Sequence, residues 1–535
     1  MDKSQKTTSF ILILLGLVYF LLFIPPNSVG SKDIEMVQVF QPDEAVPLPY
    51  LLKMIQPSDS PKQALVNFFF YQYYFYGFLY FAYSAVWLLP LKWFSLMGNM
   101  TLIMVMLRQL VSLLPILLSV YLLVYLQTQF KGYRAIILFV FLLSIPAVFL
   151  NNFWWHPDGL STFFAILTIF LLERDNLSFG RNFYLASITC GICAGIKGVG
   201  FFFFLTILVY LIMGIINKKV SMQRIILSAV GFLACMAGSF LLANPTLVYA
   251  GAREIFIRDS METAQRLSQG YTVVYAKGLQ VSLPQLVEDY SSVPFLIMTF
   301  FLCLWGMFRG TRRLLYTILL TWAIPITVMI FFLIHYKHQY WLPVSLPLFS
   351  TVTILFPERI SIQKVFKNKK FTTWPAIILI GLLFFQFGNN LNKDTKVYSQ
   401  ALHREEKSPA IRFYNQVVKV MSHLSQNRSY HILQDVRMYV PPSENWYSEA
   451  VFDLLNYDLI REKNFHVLLI LQQRICDYLE SSVEGLDPQS FSAVQDFYRD
   501  AKNGEIRRYK LVYEDSFGLI FIHQKTYNEF YIEDD

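Results

Sequence analysis

The sequence predicts an α-helical polytopic membrane protein: about eleven transmembrane helices with a large outer first loop, followed by a small C-terminal α/β soluble domain. Three observations lead to this class: the composition, the spacing of the apolar runs, and a change of texture near residue 400. Of the 535 residues, 55% are hydrophobic, 17% aromatic and only 15% charged, whereas soluble chains carry about 25% charged residues. The mean hydropathy is +0.42.

The first apolar run, Thr8 to Phe23, follows Lys3 and Lys6 and ends at Pro25 and Pro26. "IPPNSVG" is a poor cleavage site, so the run is read as an uncleaved span with its N-terminus in the cytosol. Further runs cover 101–126, 135–150, 159–172, 183–197, 199–216, 225–243, 294–308, 314–334, 340–356 and 374–388. Each is close to the length needed to cross a hydrocarbon core of about 30 Å. The stretch 67–98, "NFFFYQYYFYGFLYFAYSAVWLLPLKWF", is read as an interfacial segment, because Tyr and Trp favour the headgroup level.

Loop charge tests this count, since short cytoplasmic loops are enriched in Lys and Arg. Alternating sides from a cytosolic N-terminus places "QFKGYR", "ERDNLSFGR", "NKKVSMQR", "RGTRR" and "PERISIQKVFKNKK" inside. The outer side then receives the first loop 24–100, "NNFWWHPD", "GIKGVG", the loop 244–293, "HYKHQY" and the C-terminal part from about 389. The net charge of +8 is thus distributed as topology signals; no basic face suggests nucleic acid.

Residues 1–390 are read as the membrane module and 391–535 as an outer soluble domain. In that domain "YHILQ", "FHVLLIL", "RRYKLVYE" and "GLIFIHQ" read as strands between helical segments. Trp446 and Tyr447 in "SENWYSEA" have both a packing and a glycan-contact reading, packing being the commoner. Asn427 in "NRS" is a formal sequon. Cys190, Cys193, Cys235 and Cys303 lie in apolar runs, and the CxxC of "LASITCGICAGIKG" reads as small packing residues. There is no repeat, Walker loop, zinc motif or dinucleotide fingerprint.

The polar residues converge on the outer side. Asp43 and Glu44 in the first loop meet His156 and Asp158 of "WWHPDG", Lys197 between two adjacent spans, and His335, Lys337, His338 and Tyr340 of "HYKHQYWLP". Plain structural roles exist for each: Asp43 and Asp158 follow prolines and suit helix starts, Lys197 has an interfacial alternative, and the histidines suit an interface. Arg108 lies eight residues into an apolar run, where an unpaired guanidinium is costly, so it demands a carboxylate or a phosphate. Such an edge of acids and bases suits a substrate with an anionic head and a lipid tail.

In their order, the Asp-Glu pair, "LRQLVSLL", "HPD", "AGIKG" and "HYKHQYWLPVSLPL" resemble the type-C glycosyltransferases, in particular the protein mannosyltransferase and aminoarabinose transferase group. The resemblance covers about residues 8 to 390. It implies an inverting, mannosyltransferase-like enzyme of the cell envelope, transferring a hexosyl or pentosyl unit on the outer face of the membrane, the plasma (inner) membrane if the source is bacterial. The donor would be a polyprenyl-phosphate-linked sugar and the acceptor a glycan, lipid or protein. Asp43 matches the base of the first loop, Asp158 the second acidic residue, which would help position the acceptor or Asp43, and Lys197 the donor-phosphate contact; Glu44 would assist Asp43 in positioning. Where relatives often carry Arg before the Tyr, this chain has Gln339, which leaves Lys337 or His338 as substitutes. No cofactor is implied; a divalent metal is compatible with the Asp and His residues but not required.

The chemistry is consistent with these residue types. A carboxylate taking the acceptor proton lowers the barrier, cations stabilise the leaving phosphate, and one base with direct displacement inverts the anomeric carbon. Two rival readings remain: a lipid or glycolipid flippase, and a scaffold subunit without catalysis. A flippase would favour paired repeats and midplane polar residues.

Overall fold

In the computed structural model, residues 2–218, 220–356, 373–425, 427–452, 455–480 and 482–532 are described. Five helices are long and apolar enough to cross a membrane: Lys3–Ser28, Met100–Thr128, Val199–Ile216, Met222–Leu242 and Arg313–Leu333. A sixth arises if Leu279–Asp289 and Val293–Arg309, bent by 91°, count as one span. The expected eleven are not all reached as such elements, for local reasons. Run 135–150 is a helix Tyr133–Leu143 that stops before Pro146, which opens a second short helix. Run 340–356 breaks into 3₁₀ and α pieces around Pro343 and Pro347, as proline lacks the N–H that continues a helix. Runs 159–172 and 183–197 are helices Asp158–Asp175 and Arg181–Lys197. The basic loop "PERISIQKVFKNKK" lies outside the described residues.

The helix Asp158–Asp175 sets the long dimension of the site-bearing bundle, about 27 Å for its 18 residues. At one end Asp158 meets Lys197. Near the other, Glu173 accepts from Arg312 Nε at 3.0 Å. Around that second end, Gln129, Lys131, Arg134 and Arg312 line one cavity of about 350 Å³. Two of the loops assigned inside by charge, "QFKGYR" and "RGTRR", therefore meet at one end and the acid-base residues at the other.

The first loop is a stack of short helices, Ile34–Phe40, Pro42–Ala45, Leu48–Met54 and Pro61–Phe69, followed by Phe78–Trp93. Its aromatic residues form a core of their own: Tyr71, Tyr76, Tyr80 and Phe81 pack with Leu107, Val111 and Trp155. Gly77 is what lets this loop dock. A Cβ there would stand 1.7 Å from the Gly195 carbonyl oxygen; with none, Gly77 N–H donates to Ile196 O at 3.1 Å and Leu79 N–H to Ala243 O at 3.1 Å.

The C-terminal part is an α/β domain built on a five-stranded sheet in the order β2-β1-β3-β5-β4. The strands are β1 Tyr430–Asp435, β2 Trp446–Val451, β3 Val467–Leu471, β4 Tyr509–Glu514 and β5 Gly518–His523. Strands β2, β1 and β3 are parallel and β5 and β4 antiparallel. Helices cover both faces, with Phe413, Val417 and Met421 on one and Val494, Phe497 and Tyr498 on the other. The four expected strands are present. Edge strand β2 is the addition, and it decides the role of its aromatics: Trp446 is buried, while Tyr447 stacks on His431 at 4.3 Å. The helix Thr373–Leu402 runs unbroken through residue 390, carrying the bundle directly into this domain.

Candidate active site

Three short segments build the site. "NNFWWHPD" ends the helix Pro146–Asn151 and begins the helix Asp158–Asp175, because Pro157 and Asp158 favour a helix start. "AGIKG" ends the Arg181–Lys197 helix: Gly198 takes φ +71 as its C-terminal cap, the left-handed conformation that glycine adopts without strain. Gly195 O accepts from Asn244 Nδ2 at 3.0 Å, fixing the last turn. Lys197 is thereby aimed at the start of the neighbouring helix.

There Lys197 Nζ lies 2.6 Å from Asp158 Oδ1. The second oxygen, Asp158 Oδ2, contacts His156 Nδ1, and His156 Nε2 lies 2.7 Å from the Tyr76 hydroxyl. Burial lowers the His156 pKa below its ordinary value, with the Lys197 charge acting in the same direction and Asp158 opposing. The imidazole thus meets Asp158 at Nδ1 and the Tyr76 hydroxyl at Nε2. The result is a buried chain, Tyr76 to His156 to Asp158 to Lys197. Trp154 lies flat on the His156 ring, centroids 4.2 Å apart and planes 8° apart, and touches His338 at 5.6 Å. Lys197 Nζ sits 5.3 Å over the Tyr340 ring, a cation–π position.

Asp43 differs from Asp158 in every respect. It is exposed, lies within electrostatic reach of His156, Lys197, His338 and Tyr340, and has no hydrogen bond or ion pair among the described residues. It edges a cavity of about 550 Å³ together with Trp154, His335, Lys337, His338 and Gln339. Its neighbour Glu44 points the other way. Fully buried, Glu44 binds Arg108 through both oxygens, Nε to Oε1 at 2.9 Å, and also accepts from the Trp155 N–H. Arg108 completes its shell with Asn27 O at 2.8 Å. The guanidinium that sequence alone left between a carboxylate and a phosphate thus has a carboxylate, and the pair anchors the first loop to the bundle behind the cavity.

The 335–338 turn supplies the opposite rim. His335 N–H donates to Leu267 O at 2.9 Å and its ring packs on Tyr275. The Tyr290 hydroxyl donates to His338 O, and the Tyr336 hydroxyl to Asp289 Oδ2 at 2.7 Å. Burial lowers the pKa of both His335 and His338, so neither adds a cation at neutral pH. Lys337 lines the cavity, and Gln339 is buried. Tyr76, Trp154 and Asp289 were not singled out from sequence: Tyr76 is one aromatic among many in 67–98, and only the fold shows which of them reaches His156. Among the described residues, no three His, Cys, Asp or Glu side chains are grouped to hold a metal ion.

No family profile matches the chain, and no curated protein does. Solved structures do resemble it. ArnT from Cupriavidus metallidurans in the apo state matches with a TM-score of 0.50 at 11% identity, covering 97% of this chain and 98% of that one. ArnT bound to undecaprenyl phosphate gives 0.50 at 12% identity, over 96% and 97%. The Archaeoglobus fulgidus oligosaccharyltransferase complex with Zn and sulfate matches less well, with a TM-score of 0.45 at 11% identity over 82% of this chain and 70% of that one. The chain therefore shares the ArnT fold over nearly its whole length, including the C-terminal domain, in agreement with the type-C resemblance in the sequence.

Proposed function

We propose that this protein is an integral-membrane inverting glycosyltransferase that moves a sugar from a polyprenyl-phosphate donor to an acceptor hydroxyl on the outer face of the membrane. The reading is carried by one observation: a solvent-open, unpartnered carboxylate, Asp43, edges a cavity within electrostatic reach of a lysine held at a buried acid. A base needs that freedom, and a leaving phosphate needs that cation. The ArnT fold, seen with undecaprenyl phosphate in one of the matching structures, supports the same donor class.

In this mechanism Asp43 takes the proton of the acceptor hydroxyl while its oxygen attacks the anomeric carbon. The bond from that carbon to the phosphate oxygen breaks, and the polyprenyl phosphate leaves with the electron pair. Lys197 stabilises the charge growing on that phosphate. Asp158 and His156 act through Lys197 by fixing its ammonium, and Tyr76 fixes His156. Glu44 acts further back, through the Arg108 pair that holds the first loop and hence Asp43. A pentosyl or hexosyl donor is equally compatible with this geometry.

The test is incubation of the purified chain with a panel of radiolabelled polyprenyl-phosphate sugars, scoring release or transfer of label for wild type and Asp43→Asn. Turnover with at least one donor, lost in the variant, supports the reading. Full activity in Asp43→Asn removes the base assignment. No turnover of any donor, alongside movement of a lipid across vesicles, favours a flippase instead.

A further inference from the structure

The cavity that holds Asp43 has a second wall, supplied by the C-terminal domain through Val436, Arg437, Phe452 and Arg474. These residues share a position in the fold. The three parallel strands end at Asp435, Val451 and Leu471, and every one of the four follows a carboxyl end: Val436 and Arg437 after β1, Phe452 after β2, and Arg474 after β3. Open α/β sheets bind ligands in the crevice outside the carboxyl ends of their parallel strands. Here that crevice is the cavity facing the first loop.

The wall is held in place on two sides. Gln38 Nε2 donates to Val436 O at 3.1 Å and the Tyr439 hydroxyl to Asp33 Oδ2 at 2.9 Å, tying the end of β1 to the first loop. On the other side, Val274 N–H donates to Glu484 O at 2.8 Å and Leu486 N–H to Thr272 O at 3.1 Å. The chemistry of the two walls differs. Carboxylates Asp43, Glu288 and Asp289 all come from the membrane module, whereas, among the described residues, the domain contributes two guanidinium groups and no carboxylate. Arg437 is exposed, with its guanidinium unpartnered among the described residues. Arg474 Nη2 donates to Phe452 O at 2.9 Å, which sets the backbone beneath a ring that is 41% exposed.

We propose that this strand edge is the acceptor half of the site, binding a saccharide that carries a carboxylate or phosphate: the anion on Arg437 and a face of the sugar on Phe452. The inference rests on the transferase reading for its purpose, since the bound sugar turns a hydroxyl toward Asp43 across a cavity of about 550 Å³, within the usual range for small-molecule sites. Arg presents planar paired donors to either anion, and the aromatic ring gives contact area without a polar demand.

The experiment is equilibrium dialysis of the full chain in detergent with radiolabelled glucuronate, glucose 6-phosphate and glucose, for wild type, Arg437→Ala, Arg437→Lys and Phe452→Ala. Wild type is expected to bind at least one anionic sugar saturably, and which of the two identifies the anion. Arg437→Ala should weaken that binding about tenfold, Arg437→Lys should recover part of it, and Phe452→Ala should weaken binding of the anionic sugar as well. Equal binding to wild type and Arg437→Ala, or no preference over glucose, overturns the proposal. The measurement needs no donor. Anionic-sugar binding without turnover of any donor would therefore count against the transferase reading and leave the anionic-sugar site standing without its acceptor role.

Discussion

Arg108 and Glu44 form a two-point ion pair from which solvent is fully excluded, joining the first loop to the bundle across 64 residues of sequence. Breaking one partner of a buried pair leaves the other charge uncompensated, which costs about 3–5 kcal/mol. Glu44→Gln is therefore expected to lower the unfolding midpoint in detergent sharply. The double variant Glu44→Leu with Arg108→Met should recover most of that loss, because it removes both charges together. A double variant as unstable as the single one would mean that the contacts to the Trp155 N–H and Asn27 O, not the ion pair, hold the loop.

Asp43 gives the opposite pattern. It is exposed and bonded to nothing described, so Asp43→Asn should move the unfolding midpoint by no more than an ordinary surface change, about 0.5 kcal/mol. Loss of a general base costs about 10²–10⁴ in rate. The expected outcome is a fall in transfer of that size in a protein of unchanged stability, read by pairing the radiolabel assay with thermal unfolding. A variant that unfolds early would instead assign Asp43 a structural part.

These two carboxylates show what sequence could and could not separate. "PDEA" places them side by side, and nothing in the order of residues says that one faces water and the other a guanidinium. That depends on the helical turn Pro42–Ala45, which sends neighbours to different sides. Legible from sequence were Lys197 and Asp158, since each is a charge between apolar runs, and four of the five strands of the domain, β1, β3, β4 and β5, since apolar residues mark each of them. Tyr76 was hidden by its abundance of aromatic neighbours. The domain wall was hidden for another reason: Arg437, Phe452 and Arg474 are ordinary loop residues until the parallel order of β2, β1 and β3 brings their positions to one edge.

Histidine titration works against the fold at acid pH. Burial lowers the pKa of His156, His335, His338, His431, His466 and His523 from 6.5. Between that value and each lowered one, the unfolded chain binds more protons than the folded chain, so stability rises with pH. The stabilisation is fully present above about 6.5 and is lost as pH falls through the lowered values. Below neutral pH the histidines should accordingly destabilise the fold, against the opposite effect of Asp394, whose buried carboxyl is pushed up to about 8, so the histidine part is read as the difference in thermal unfolding midpoint between wild type and His156→Gln. His156→Gln should lose part of that acid sensitivity, and a difference between the two proteins that does not change with pH would exclude the buried-neutral state.

Lys197 and Asp158, 2.6 Å apart at the end of two adjacent helices, are expected to behave as one catalytic unit. In the proposed mechanism Lys197→Met removes the cation from the leaving phosphate, a change worth about 10²–10³ in rate by analogy with lost oxyanion donors. Asp158→Asn leaves the cation but weakens its anchor, so the ammonium is free to drift toward the Tyr340 ring. Residues in one network do not add their effects. The double variant should therefore be no slower than Lys197→Met alone, while Lys197→Arg should keep part of the activity with a raised KM for donor. Two independent roles would give multiplied losses in the double variant, and that result would separate Asp158 from the phosphate and return it to the acceptor side.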